Sequence, residues 1–131
     1  MNLLLDTHTL VWWLVANRRL GRRARSAIVD PDNEVWVSAA TVWEIAIKAS
    51  LERLDLGEPP ETCLPRELRR HEFRELPITP THAYGVRTLP WIHKDPFDRM
   101  LVSQARAEGL TLVTSDRLMA GYGVELLAAD A

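Results

Sequence analysis

Residues 95–116 read "DPFDRMLVSQARAEGLTLVTSD", and the reading of this stretch decides the fold. Asp95 is placed to cap a helix, Pro96 suits its first position, and Gly109 stands just past its end, where a left-handed residue commonly closes helices. "LTLVTS" then forms a short apolar run of strand length. A helix feeding directly into a buried strand is half of a β–α repeat. The same alternation runs back through the chain. "NLLLD" (2–6) reads as a buried strand, "THTLVWWLVAN" as the helix after it, "GRRARSAIVDP" as a second helix stopped by Pro31, and "NEVWVS" (33–38) as an alternating strand. Val42, Ile45, Ala46 and Ala49 recur at i, i+3, i+4 and i+7, predicting a helix that ends near Gly57. Weaker signals give a helix in "ETCLPRELRRH", a short strand in "FRELPIT", a helix in "PTHAYGVRTLP", a turn or short helix in "DRLMAGYG" and a last edge strand in "VELLA". Repeated β–α units imply an α/β fold with a mainly parallel sheet.

At 131 residues the chain suits one domain, 1–131, with no linker or internal repeat. Hydrophobic residues at 47% and charged ones at 26% exclude a disordered chain. A formal charge of −2 argues against nucleic-acid binding driven by bulk charge, yet Arg18, Arg19, Arg22, Arg23 and Arg25 are clustered. Such a cluster either contacts phosphates or forms a solvated helix face. The single Cys63 excludes an intramolecular disulfide and suits a reducing compartment. No Cys/His spacing suggests zinc. The apolar N-terminus is interrupted by Asp6 and His8, and its basic residues follow the run instead of preceding it, unlike a signal peptide. No stretch reaches the roughly 18–20 apolar residues of a membrane span. A soluble, cytoplasmic protein is expected.

Four acids stand apart from the solvated ones. Asp6 ends the first strand, Glu44 lies one turn into the helix after the second, Asp98 falls in the first turn of the helix before "LTLVTS", and Asp116 follows that strand. Ligand sites of parallel sheets lie at the carboxyl ends of the strands, where all four can meet. Each also has a purely structural reading. Asp6 and Asp116 can cap the turns they precede, Glu44 fits a capping box in "TVWE" and an i+4 pair with Lys48, and Asp98 can reciprocate Asp95. If they converge, several carboxylates raise one another's pKa and call for a compensating cation. An all-oxygen set suits Mg²⁺ or Mn²⁺, which support phosphodiester hydrolysis by an activated water.

The stretches "LLLDTHTLVWW", "VSAATVWEIAIK" and "HKDPFDRMLVSQARAEGLTLVTSD" resemble, in order, the PIN-domain family, and within it the VapC-type toxins of bacterial toxin–antitoxin pairs. The resemblance implies a three-layer α/β/α sandwich with a central, mainly parallel sheet and a Mg²⁺- or Mn²⁺-dependent endoribonuclease. It carries the catalytic, metal-holding quartet onto Asp6, Glu44, Asp98 and Asp116. Asp98, with Ala105, Gly109 and "LTLVT", fits the register of the third family acid, and Asp95 does not. Thr114 and Ser115 fall where the family places small polar residues supporting the metal. The implied partners are RNA, a VapB-type antitoxin lying in a groove beside the site, and a second copy in a homodimer.

Other residues keep two readings. His8 and His93 can touch substrate or serve as surface hydrogen-bonders. Arg99 can pair with a carboxylate, an RNA phosphate or a helix-surface partner. Of the adjacent Trp12 and Trp13, one is expected in the core and the other nearer the surface; an exposed tryptophan suits protein–protein contact. A phospho-aspartate phosphatase at Asp6 is disfavoured by His8 at the position of the usual second acid, and a nucleotide-binding module by the lack of either glycine-rich phosphate motif. A non-catalytic RNA- or protein-binding member of the same fold is the alternative function.

Overall fold

Leu3 and Leu5 fall on one face of a central sheet and Leu4 on the other, so the first apolar run is buried on both sides. In the computed structural model, which describes residues 1–131, this run is β1 (Asn2–Leu5). There follow α1 (Thr7–Leu14), α2 (Arg22–Val29), β2 (Glu34–Ser38), α3 (Ala39–Ser50), α4 (Pro60–Arg70), β3 (Arg74–Leu76), α5 (Pro80–Gly85), α6 (Pro96–Glu108), β4 (Thr111–Thr114) and β5 (Leu126–Ala128). Short 3₁₀ turns occupy Val86–Thr88 and Arg117–Tyr122.

The strands lie in the order β3-β2-β1-β4-β5, and every pairing is parallel. Val35, Val37 and Val113 join Leu3 and Leu5 beneath α1, α2 and α4. Leu4 and Leu112 face α6 and the turn that carries Met119 and Tyr122. This is the three-layer α/β/α sandwich expected. Strands apolar on both faces are what a parallel sheet covered by helices requires. Each fully buried leucine contributes about 1.5–3 kcal/mol relative to an exposed one.

Strand order reverses at β1. The chain lays β2 and β3 to one side, then crosses to set β4 on the other. The crevice beyond the carboxyl ends of β1 and β4 is therefore the switch point, the natural ligand position in such sheets. Two hydrogen bonds close it: the Asp6 N–H and the Thr9 hydroxyl both donate to the Val113 carbonyl, at 3.1 and 3.0 Å.

The start and end of α6 agree with expectation. Asp95 caps it, Pro96 is its first residue, and Gly109 closes it at φ 66°. The helix α3 differs at both ends. Ser38 is its cap, accepting from the Ala40 N–H, so Thr41 and Glu44 lie within the helix and form no capping box. It stops at Ser50, not near Gly57, because Glu52 takes a left-handed φ of 57° without being glycine. The apolar pattern runs on past that stop because Leu54 and Leu56 still pack on the core. Trp12 and Trp13 also depart from the expected division: both are half-buried and both pack against the same core face. Adjacent helical residues flank the buried stripe, and each ring covers one side of it. No helix is long and apolar enough to cross a membrane.

Candidate active site

Asp6 follows β1 directly, and its Oδ1 accepts the Thr9 N–H at 2.9 Å, which starts α1. Glu44 projects from α3. Its Oε1 accepts from the Thr7 hydroxyl at 2.7 Å, and its Oε2 meets Lys48 Nζ at 2.6 Å. Both acids are buried. Thr7 thus ties the turn after β1 to the helix after β2, bringing Asp6 and Glu44 to one place.

Asp98 stands in the first turn of α6, half-buried. The Asp95 side chain takes the N–H groups of Phe97 and Asp98, while no hydrogen bond ends on the Asp98 carboxylate. Burial pushes the Asp98 pKa up to about 6, and the charges of Asp95, Glu44 and Asp6 push the same way. Asp6, Glu44 and Asp98 therefore share one electrostatic neighbourhood.

Asp116 lies two residues beyond β4. Its Oδ1 accepts the Leu118 N–H at 3.0 Å, its Oδ2 lies 2.7 Å from His93 Nε2, and its own N–H donates to the Thr114 hydroxyl at 3.0 Å. Thr114 is buried and supports the Asp116 backbone; Ser115 makes none of these bonds. The side chains do not close into a ready-made cage, since no three of the His, Cys, Asp and Glu residues are grouped to hold an ion as they stand.

The donor chemistry nevertheless fits a hard divalent cation. All four groups are carboxylates, as Mg²⁺ and Mn²⁺ prefer. Asp98 lacks a hydrogen-bond donor, and burial and three nearby acids outweigh the opposing effect of His93, which is the condition a cation relieves. Glu44 and Asp116 already have partners in Lys48 and His93.

Several residues that kept two readings in the sequence take definite places. Arg99 is buried and donates to the carbonyls of Pro90, Val86, Leu89 and His93 at 2.8, 3.1, 3.2 and 3.4 Å, with Trp91 stacked 3.8 Å from its guanidinium carbon. This replaces the expected carboxylate, phosphate or surface partner: the guanidinium pins the loop before α6. His93 is held by Tyr122, whose hydroxyl lies 2.8 Å from both its backbone N and its Nδ1. His8 is exposed on α1. The Gly21 N–H donates to the Ala129 carbonyl and the Ala129 N–H to the Thr114 carbonyl, so the exposed Arg18, Arg19, Arg22 and Arg23 flank the edge of the sheet that carries Asp116.

A family model described as the PIN domain matches residues 3–124. Ribonuclease VapC22 of Mycobacterium tuberculosis is 36% identical over 120 residues, 91% of this chain and 90% of that protein. Among solved structures, VapBC2 of Rickettsia felis, bound to a promoter DNA fragment, aligns with a TM-score of 0.75 at 16% identity, covering 97% of this chain and 98% of that one. VapBC-1 of nontypeable Haemophilus influenzae aligns with a TM-score of 0.68 at 16% identity, covering 100% of both. The ordered acids at the switch point, the three-layer fold and these similarities lead to one assignment: the chain belongs to the PIN-domain family, among its VapC-type members.

Proposed function

We propose that this protein is a Mg²⁺- or Mn²⁺-dependent endoribonuclease and the toxin half of a toxin–antitoxin pair. The observation that carries the reading is Asp98: a carboxylate at the switch point, without a hydrogen-bond donor, whose pKa is raised by burial and by neighbouring acids. Asp6 and Asp98 would hold the ion, with Glu44 and Asp116 completing the set. When bound, the ion would supply charge neutralisation at a phosphate and acidification of a water. The chain does the rest. Thr7 orients Glu44, Thr114 steadies the backbone of Asp116, and the arginines at 18, 19, 22 and 23 offer phosphate contacts on the same edge. VapC22 is named a ribonuclease, which supports the same activity here.

A VapB-type antitoxin has a suitable surface. A groove of about 540 Å³ between α3 and β3 is lined by Val37, Val42, Trp43, Ala46, Leu76 and Pro77. Trp43 is 59% exposed and meets Phe97 edge-on at 5.0 Å. These two rings adjoin Glu44 and Asp98 in sequence, so a helix or tail in the groove would end beside the acids. Complexes of VapC-type chains with their antitoxins among the structural relatives support this partner. A homodimer would use other apolar surface, for which exposed Tyr84, Trp91 and Leu118 are candidates. A cytoplasmic location accords with the RNA substrate and with Cys63, which is buried and unbridged.

The alternative, a non-catalytic RNA- or protein-binding module, is favoured by one observation: Glu44 and Asp116 are already engaged within the protein. Incubating antitoxin-free protein with RNA, with and without Mn²⁺, separates the two. Cleavage that needs the ion and disappears in Asp98→Asn is expected; RNA left intact at every ion concentration, by a protein that still binds it, establishes the alternative.

A further inference from the structure

His93 has no ring nitrogen left for a substrate. Its Nε2 lies 2.7 Å from Asp116 Oδ2 and its Nδ1 2.8 Å from the Tyr122 hydroxyl. The proton inventory orders this chain. The Tyr122 oxygen accepts the His93 backbone N–H, so its one proton is free to point at Nδ1. Nδ1 is then the acceptor, the ring proton sits on Nε2, and Nε2–H donates to Asp116. The ring also stacks on buried Tyr122, with centroids 5.5 Å apart and planes at 27°.

We infer that His93, oriented by Tyr122, is a positioning residue that fixes the Asp116 carboxylate for the ion-holding role proposed above. The inference rests on that role. Asp116 needs such a brace. It stands outside any strand or α-helix, at the head of a short 3₁₀ turn, with 39% of its side chain exposed. The Leu118 N–H holds only Oδ1, so the His93 contact is what fixes Oδ2, and an acid that holds an ion gains from a preset orientation of both oxygens. The brace reaches further. Arg99, the neighbour of Asp98, donates to the His93 carbonyl. The loop end that grips Asp116 is thereby anchored to the helix that presents Asp98, and the two acids are set relative to each other through His93.

The test uses His93→Leu, His93→Gln, Tyr122→Phe, Asp116→Asn and the His93→Leu/Asp116→Asn pair, titrated with Mn²⁺. Thermal shift gives the midpoint of the ion response, and RNA cleavage gives kcat and KM. His93→Leu is expected to raise the Mn²⁺ midpoint roughly tenfold to a hundredfold, the usual cost of losing a ligand's orienting partner. Its kcat falls while KM moves little. His93→Gln, whose amide N–H can still donate to Asp116, recovers most of both. Tyr122→Phe keeps the ring stack and falls between. In the metal-free protein, ¹⁵N NMR should find the His93 proton on Nε2, and on a mixture of both nitrogens in Tyr122→Phe. The double variant should be no worse than Asp116→Asn alone. A His93→Leu protein with an unaltered Mn²⁺ midpoint and kcat, beside an Asp116→Asn protein that loses both, overturns the inference alone, as do fully additive losses. An Asp116→Asn protein that keeps both removes Asp116 from the ion site, and the brace loses its purpose. If His93→Leu fails to fold, the Gln and Phe variants carry the same comparison.

Discussion

The backbone N–H of Asp98 donates to the side chain of Asp95 at 3.1 Å, so the first aspartate holds the second in place while leaving its carboxylate untouched. One acid is committed to starting α6; the other faces the crevice without a donor. The two should answer very differently to the same substitution. Asp95→Asn retains a capping oxygen and should leave RNA cleavage within about twofold of wild type, since Asn caps as well as Asp. Asp98→Asn should lower cleavage by roughly a hundredfold or more with the fold intact, as expected for an acid that would hold the ion. Cleavage rates beside circular-dichroism melts decide it, and the reverse ranking would move the site one turn along the helix.

The acid's raised pKa makes a stability statement with a definite sign. Asp98 titrates near 6 in the folded protein, against an ordinary 3.8. Between those values the folded state binds more protons than the unfolded one, so stability falls as pH rises from about 4 to 6 and is level beyond. Asp98→Asn abolishes this slope. Metal-free variant should therefore be the more stable protein at pH 7.5, by on the order of 1 kcal/mol once solvent screening is allowed for, and the gap should close toward pH 4. Urea midpoints across that range are the measurement.

A divalent ion should stabilise wild type by mass action. At a hundred times its dissociation constant the gain is about 2.7 kcal/mol. Asp6→Asn and Asp98→Asn should each lose most of that gain in a thermal shift with Mn²⁺. A gain that survives in both would place the ion elsewhere.

Arg99 should resist even a conservative exchange. A lysine cannot reproduce the planar fork that serves four carbonyls and stacks on Trp91. Buried acceptors left unpaired cost about 1–3 kcal/mol each. Arg99→Lys is thus expected to lower stability by roughly 2–4 kcal/mol, read as a shift in urea midpoint, with the loop 86–95 the first segment to exchange its amide hydrogens.

Much of this molecule could be read from the chain alone, and the division has a physical basis. The ends of α6 were legible because caps and closing glycines act over three or four residues, as Asp95, Pro96 and Gly109 do. The strands β1 and β4 were legible because burial on both faces demands an unbroken apolar run. The end of α3 was not: Leu54 and Leu56 extend the apolar pattern for reasons of packing, while the turn at Glu52 uses a residue with no special liking for φ 57°. The partners of Arg99 and His93 were not legible, for another reason. The acceptors of Arg99 are main-chain carbonyls, which have no residue identity, and the partners of His93 lie 23 and 29 positions away. Local spacing reports what a residue can do to its own helix; it is silent about what folding brings to it.

The switch-point topology also fixes when the crevice comes into being. Thr9 and Val113, whose hydrogen bond closes it, are 104 positions apart. The first strand must wait for β4 before its second edge is paired, and such distant pairings form late and slowly. A nascent chain on the ribosome therefore carries Asp6 and Glu44 long before it carries Asp98 or Asp116. The order of synthesis thus separates the two halves of the site in time, and the crevice is complete only after β4 has paired with β1.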